Sequence, residues 1–300
     1  MYERDKNFPC VIGWSLGNEC GYGPTHKDMH DWLRLRDPLR FVQYESGGAR
    51  TPATDVICPM YTPINWCVEN ALHDAAKRPV ILCEYAHAMG NSGGALTKYW
   101  QHFRDPKYPR FQGGFIWDWC DQGLLVPEVG KGYLYGGDFG DLPNTKQFCI
   151  NGITNPDRVP HPDALEASFL QSPIDVNMSI DDSQTDTCLT IVNRRVHTDL
   201  SDLVIVITPY YQSVYLGKCV KFHSIEWPCE SMPVSAGNSY TRNITGELTL
   251  VIANKLKEGT LSTVGFSFSS PTSPVPLYIY FSSVLLYTHR MDIYKSIYEG

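Results

Sequence analysis

No apolar run in this 300-residue chain is long enough to span about 30 Å of hydrocarbon. The longest, Val275–Tyr287, is too short and carries Ser282 and Ser283. A membrane partner is therefore excluded. No basic run is present either, and Lys+Arg of 25 against Asp+Glu of 32 leaves a net charge of −7. A phosphate-gripping surface is not built from that balance, so nucleic acid is not expected as a partner. None of the ten cysteines forms a CxxC or CxH pair, which removes the zinc-site and redox-motif readings. Cys58, Cys83 and Cys120 end or interrupt apolar runs, where a thiol behaves as a small hydrophobe. Buried free thiols in a reducing compartment are expected, rather than a disulfide framework. The start shows no charged-then-apolar leader, and a cytoplasmic location is the expectation. The sequons at Asn177 and Asn243 matter only to a secreted chain.

What the chain does have is 43% hydrophobic and 19% charged residues. That excludes disorder and supports one large domain or two medium ones. The character changes near residue 172. Before it, short apolar runs alternate with amphipathic stretches in the rhythm of βα units. The runs are Val11–Ser15, Phe41–Tyr44, Val56–Met60, Val80–Tyr85 and Gly114–Trp119. They lack polar alternation, as strands buried on both faces do. Helices are predicted over His26–Arg36, with Met29, Trp32 and Leu33 on one face; over Asn65–Lys77, with Val68, Leu72 and Ala76; and over Ala95–Arg104, with Tyr99 and Phe103. After residue 172, Val176–Ile180, Thr187–Val192, Asp202–Thr208, Val214–Lys218 and Leu248–Ile252 read as strands at sandwich-like spacing. The last thirty residues fit neither pattern.

Each apolar run of the first half ends in a polar or aromatic cluster: Asn18-Glu19, Tyr44-Glu45, Met60-Tyr61, Glu84-Tyr85 and Trp117-Asp118-Trp119. In a parallel α/β barrel the carboxyl ends of the strands converge on one mouth and carry the chemistry. Glu19 and Glu84 both follow directly on strands. Two carboxylates facing across such a mouth can protonate a departing glycosidic oxygen and attack the anomeric carbon. The blander alternative is that each glutamate caps the next helix. Glu45, Asp118, Asp121 and Asp141 are read as structural, through helix and loop capping. Tyr61 and Trp117 have an alternative as core aromatics, and His87 as a satisfied core histidine.

Several segments are more specific than this pattern. Pro9-Cys-Val-Ile-Gly-Trp-Ser-Leu-Gly-Asn-Glu-Cys-Gly-Tyr-Gly23 resembles the acid/base signature of glycoside hydrolase family two. Cys58-Pro-Met-Tyr61, Leu82–Ser92, Gly113–Gln122, Asp138-Phe-Gly-Asp141 and Gln147–Gly152 continue the match in order. The resemblance is to the large microbial β-galactosidases and covers roughly residues 1–170. It implies that Glu19 is the general acid/base and Glu84 the nucleophile of a retaining double displacement. It implies also that Asn18 bonds the sugar near its 2-hydroxyl, that Tyr61 assists release of the galactosyl group, that His87 contacts sugar hydroxyls, and that Trp117 lies under the sugar. Magnesium is implied at Glu19. Sodium or potassium is implied at the Phe148 carbonyl and the Asn151 side chain. Both ligand sets are incomplete here.

The architecture the resemblance implies is an incomplete TIM-type (β/α)8 barrel over residues 1–172, about strands four to eight. An immunoglobulin-like β-sandwich over 173–270 and an unassigned tail over 271–300 follow. The expected function is hydrolysis of terminal β-D-galactose from lactose-like β-galactosides, by a chain that lacks the first half of its barrel and has little activity alone. The parent enzyme is expected to be a homo-oligomer. Two alternatives stand beside it: a related β-glucuronidase or β-mannosidase, and an inactive fragment serving as a sugar-binding or assembly module.

Overall fold

The structure, a computed structural model, describes residues 1–127, 132–180, 187–213, 218–221, 225–228, 234–244, 261–269 and 278–282. It forms two compact units, Met1–Leu170 and Gln171–Gly300.

The first unit opens with a short helix α1 (Tyr2–Asp5) and strand β1 (Gly13–Ser15), followed by α2 (Pro24–Arg36) and β2 (Phe41–Gln43). Next come α3 (Ile64–His73), β3 (Val80–Tyr85), α4 (Thr97–Phe103) and β4 (Phe111–Ile116). A small hairpin of β5 (Leu124–Leu125) and β6 (Tyr133–Leu134) precedes the last helix, α5 (Pro162–Gln171). β1 pairs β2 in parallel, with Gly13 opposite Phe41, and β3 pairs β4 in parallel. A Cβ at Gly13 would lie 2.5 Å from the Phe41 ring, so a side chain there would force that ring to move. The two pairs are bridged by residues 55–60. The Asp55 amide donates to the Val42 carbonyl at 2.8 Å, and Ile57 and Met60 bridge Val80 and Glu84 in parallel. Val56–Met60 was expected to be a full strand and makes only isolated bridges. Pro59 has no N–H to give a ladder, and its carbonyl accepts from Cys83 at 3.1 Å.

The five parallel segments are covered on one side by helices. Val80, Leu82, Tyr85 and Phe111 pack with Ile57, Cys67, Ala71, Leu96 and Ala167 into one core. Tyr85, Tyr99, Phe103 and Phe111 meet edge-on or tilted within it, with Phe103 and Phe111 centroids 4.8 Å apart. Trp14, Leu33 and Val42 make a second cluster under α2. Of the face expected to be buried on that helix only Leu33 is; Met29 and Trp32 are exposed. Trp32 instead stacks on the Arg36 guanidinium at 3.9 Å and meets Tyr2 edge-on. α3 stops at His73, short of the expected Lys77, and Leu72 on it is exposed. The thiols are free among the described residues, but Cys10 and Cys20 are exposed, contrary to the expectation of burial.

The second unit is antiparallel throughout its described part. Its strands are β7 (Ile174–Ile180), β8 (Thr187–Asn193), β9 (Val204–Ser213), β10 (Lys218–Lys221), β11 (Ile225–Pro228), β12 (Ser239–Asn243), β13 (Leu261–Ser269) and β14 (Tyr278–Ser282). One sheet runs β12-β8-β7, and a second runs β10-β9-β13-β14 with β11 also on β9. Leu189 and Ile191 are buried, with Thr190 between them only half-buried, the period of two expected of a sheet with one dry face. The strand expected over Leu248–Ile252 lies outside the described residues, as does all of Val214–Lys218 except Lys218.

Candidate active site

Parallel neighbours release their carboxyl ends at the same edge of a sheet, so the loops after β1, β2, β3 and β4 leave side by side. Between them lies a cavity of about 510 Å³, within the range of sites for small organic ligands. Asn18, Glu45, Glu84, Trp117 and Asp118 line it, with Cys83, Phe115 and Trp119. Among the described residues no Lys or Arg lines it. An acid-lined, aromatic-walled cleft suits a neutral polyhydroxylated ligand on which positive charge develops.

Glu84 reaches this cavity because β3 is irregular. Strict alternation would place Glu84 on the face of Val80 and Leu82, pointing at the helices. The pairing with β4 shifts register between Leu82 and Tyr85. As a result Tyr85 takes the buried helix-side place while Cys83 and Glu84 both line the cavity. The Tyr61 hydroxyl donates to Glu84 Oε2 at 2.7 Å, and the Tyr61 amide donates to the Glu84 carbonyl at 2.9 Å. Burial, then the hydrogen bond to Glu84, then the charges of Glu84, Cys83 and Glu19 raise the Tyr61 phenol well above its ordinary value. Tyr61 is thus a neutral donor at all working pH, with both sequence-selected glutamates close enough to act on it. Burial, followed by the charges of Cys58, Glu45 and Glu84, pushes the Cys83 thiol up to about 12. It stays protonated and is no rival nucleophile to its neighbour.

Glu19 is exposed and sits in the left-handed region at φ 52°. Tyr61 (φ 48°) and Ala86 (φ 54°), next to His87, share that conformation. Non-glycine residues held there cost free energy that the surrounding structure must supply, and such positions cluster at functional sites. The Glu19 amide donates to Glu45 Oε1 at 2.6 Å. Glu45, read from sequence as a helix or loop cap, fixes the loop that bears Glu19. The sequence carried no signal for this contact beyond the adjacency of β1 and β2.

Of the other sequence-selected residues Trp117 lines the cavity, whereas Glu19, Tyr61, His87, Phe148 and Asn151 are not among its lining residues. The His87 ring meets the Tyr61 ring edge-on at 5.7 Å and the Phe148 ring at 6.2 Å. The Ala88 amide donates to the Trp117 carbonyl at 2.9 Å, tying the His87 loop to the end of β4. Trp117 is 37% exposed, its ring free to face a ligand. Asn151 is buried and brought in by Asp118, whose amide donates to its carbonyl at 2.8 Å. Behind it, Gly152 approaches Cys120 and Asp121 so closely that a Cβ would lie 2.1 Å from the Asp121 nitrogen. Asp121 accepts from the Gly152 amide at 2.8 Å, a loop-fixing role matching its reading as a cap. Asp138 and Asp141 likewise accept from the amides of Tyr135 and Gly137. Asp118 does more than cap: it accepts from Gln122 Nε2 at 2.7 Å and also faces the cavity.

The two cation expectations fare differently against these residues. Among the described residues, no group of three or more His, Cys, Asp or Glu side chains gathers as a metal site. Glu19 belongs to no such group, so a magnesium cage is not assembled from the described residues alone. Asn151 does have an orphan: its buried Oδ1 has no hydrogen-bond partner, while its Nδ2 donates to the Phe148 carbonyl at 3.2 Å. A buried amide oxygen without a partner is an acceptor that a hard monovalent cation could use, while the Phe148 carbonyl is taken by the Asn151 Nδ2.

Comparison with known proteins adds to this geometry. Residues 1–176 match the family model described as "Glycosyl hydrolases family 2, TIM barrel domain". The chain is 53% identical over 192 residues to a protein of Alteromonas mediterranea named beta-galactosidase, covering 60% of this chain and 18% of that one. A Vibrio cholerae protein of the same name is 51% identical over 213 residues, covering 67% and 20%. One from Leuconostoc mesenteroides is 45% identical over 219 residues, covering 69% and 21%. The chain thus spans about a fifth of the length of these curated relatives.

Proposed function

The chain belongs to glycosyl hydrolase family 2 through its TIM-barrel domain, and from that premise we propose that its first unit carries the acid/base and the nucleophile of a retaining β-galactosidase. The observation that carries this reading is the Tyr61–Glu84 hydrogen bond at 2.7 Å, with Glu84 lining an acidic cavity that Asn18 and Trp117 also line.

In the first step a Glu84 oxygen attacks the anomeric carbon of a terminal β-galactosyl group while Glu19 gives its proton to the departing glycosidic oxygen. The bond to the aglycone breaks and an ester to Glu84 forms. In the second step Glu19, now a carboxylate, takes a proton from water; the water attacks the anomeric carbon and Glu84 leaves as carboxylate. Tyr61, holding one Glu84 oxygen as a neutral donor, orients the other for attack and stabilises the carboxylate as it departs. Asn18 bonds the sugar near its 2-hydroxyl, a contact that tightens as the ring gains oxocarbenium character. Trp117 packs its face against the sugar's C–H groups, and His87 contacts hydroxyls. A sodium or potassium ion at Phe148 and Asn151 would, when bound, supply positive charge to hold a sugar hydroxyl oxygen. No step is routed through magnesium.

An acid-lined cleft favours a galactoside over a glucuronide, whose own carboxylate would be repelled. The antiparallel second unit is read as an immunoglobulin-like sandwich following the barrel, and the parent enzyme as a cytoplasmic homo-oligomer. Five parallel segments do not close a barrel, so the isolated chain is expected to turn over little substrate. The test is exchange: residues 1–176 replace the matching segment of the full-length Alteromonas relative. The exchanged enzyme is expected to hydrolyse nitrophenyl β-galactoside and to leave the β-glucuronide and β-mannoside largely intact. Preference for either of the latter would refute the galactosidase assignment.

A further inference from the structure

We infer that Glu45 is a positioning residue for the acid/base, an inference that rests on the role proposed above for Glu19. β1 and β2 are adjacent and parallel, with Ser15 opposite Gln43. The chain leaving β2 therefore runs beside the loop leaving β1, and two consecutive residues of the former grip the latter. Tyr44, fully buried, donates its hydroxyl to the Gly21 carbonyl. Glu45 accepts the Glu19 amide at 2.6 Å. The Ser46 hydroxyl in turn lies 2.9 and 2.7 Å from the two Glu45 oxygens, fixing the carboxylate's orientation.

The Glu19 peptide is the one that needs holding. At φ 52° it occupies a conformation L-residues leave unless the surroundings over-determine it. An amide bonded to a carboxylate makes the stronger, charge-assisted kind of hydrogen bond. Without that acceptor the peptide can relax toward an ordinary conformation, carrying the Glu19 carboxyl away from the departing oxygen. Glu45 also lines the cavity, so the contrast between leaving groups, rather than a loss common to both, is what marks a positioning role. Its effect is on where Glu19 points.

That makes the expected defect selective. In the exchanged full-length enzyme, Glu45→Ala should lower kcat/KM for phenyl β-galactoside, whose leaving group needs a proton, by roughly 10–100-fold, part of what general acid catalysis contributes. For 2,4-dinitrophenyl β-galactoside, whose leaving group departs unprotonated, the loss should be under about threefold. Glu45→Gln, whose amide oxygen still accepts the Glu19 N–H, should recover most of the loss. Equal losses on both substrates, no loss on either, or a Gln variant no better than Ala would overturn the inference. Glu19→Gln run alongside separates the two claims: if it shows no contrast between the substrates, the acid/base reading fails whatever Glu45 does. A measurement on the 300-residue chain needs no turnover. With 15N-labelled glutamate, the Glu19 amide proton should resonate downfield and move upfield in Glu45→Gln, further in Glu45→Ala; an unmoved signal overturns the inference on its own.

Discussion

On β3 the side chains of Val80, Leu82 and Tyr85 turn toward the helices and are at most 1% exposed, while Cys83 and Glu84 open onto an acid-lined cavity. The helix-covered side is an apolar core. The mouth side gathers a register shift, left-handed backbone at Glu19, Tyr61 and Ala86, and aromatic rings left in contact with solvent: Phe115 is 59% exposed and Trp119 63%. One strand thus spends its two faces on different ends. Apolar packing is concentrated where the helices lie, and three of the left-handed residues, Glu19, Tyr61 and Ala86, sit at or next to residues for which chemistry is proposed.

Substitutions on the two faces of β3 should accordingly fail in opposite ways. The largest effect is expected at the mouth. Glu84→Gln in the exchanged full-length enzyme should reduce turnover by several orders of magnitude. Its unfolding midpoint should be unchanged or slightly raised, because a like charge leaves an acid-lined cavity. On the other face, Leu82→Ala should cost about 2–5 kcal/mol of stability through the cavity it leaves, read by denaturant unfolding of the chain. The fraction that remains folded should be as active as before. A Glu84 variant that unfolds, or a Leu82 variant that folds stably but is inactive, would break the division.

A smaller effect sharpens the stability side. Asp74, at the end of α3, accepts from the Arg78 amide at 3.0 Å and from its guanidinium at 3.2 Å. Burial works to raise the Asp74 carboxyl, but the bonds from Arg78 and the charges of Arg78 and Arg110 outweigh it and hold it below its ordinary value. A depressed carboxyl contributes stability that is fully present above the unfolded value of about 3.9 and is lost as pH falls through the folded one. Wild type should therefore exceed Asp74→Asn by about 1 kcal/mol near neutrality, and the gap should shrink below about pH 4. A gap constant down to pH 2 would contradict the assignment.

How much of this was legible in the sequence depends on the face. The apolar runs at Phe41, Val80 and the end of β4 named their strands, and the i, i+4 pair Tyr99–Phe103 named α4, because burial on the helix side obeys simple periods. α5 was missed although Pro162 and Asp163 are a recognisable helix start. Trp32 and Met29 were expected inside, but Leu33 alone fills the contact under α2 and Trp32 finds Arg36 instead. At the mouth, residue type and strand-end position pointed to Glu19 and Glu84, and the family resemblance to Tyr61 and Trp117. What no periodicity could show was the shift that turns Glu84 off the Leu82 face, or the reach of Glu45 to the Glu19 amide. Both depend on which strands are neighbours and where their pairing slips, properties of the assembled sheet rather than of any segment.

The most direct measurement traps the ester that a double displacement requires. The exchanged full-length enzyme is incubated with a 2-deoxy-2-fluoro-β-galactosyl fluoride and its peptides are read by mass spectrometry. A fluorogalactosyl adduct on the peptide bearing Glu84, absent in Glu84→Gln, is the predicted result. An adduct on another residue, or substrate cleavage that releases the α-anomer first, would contradict the account.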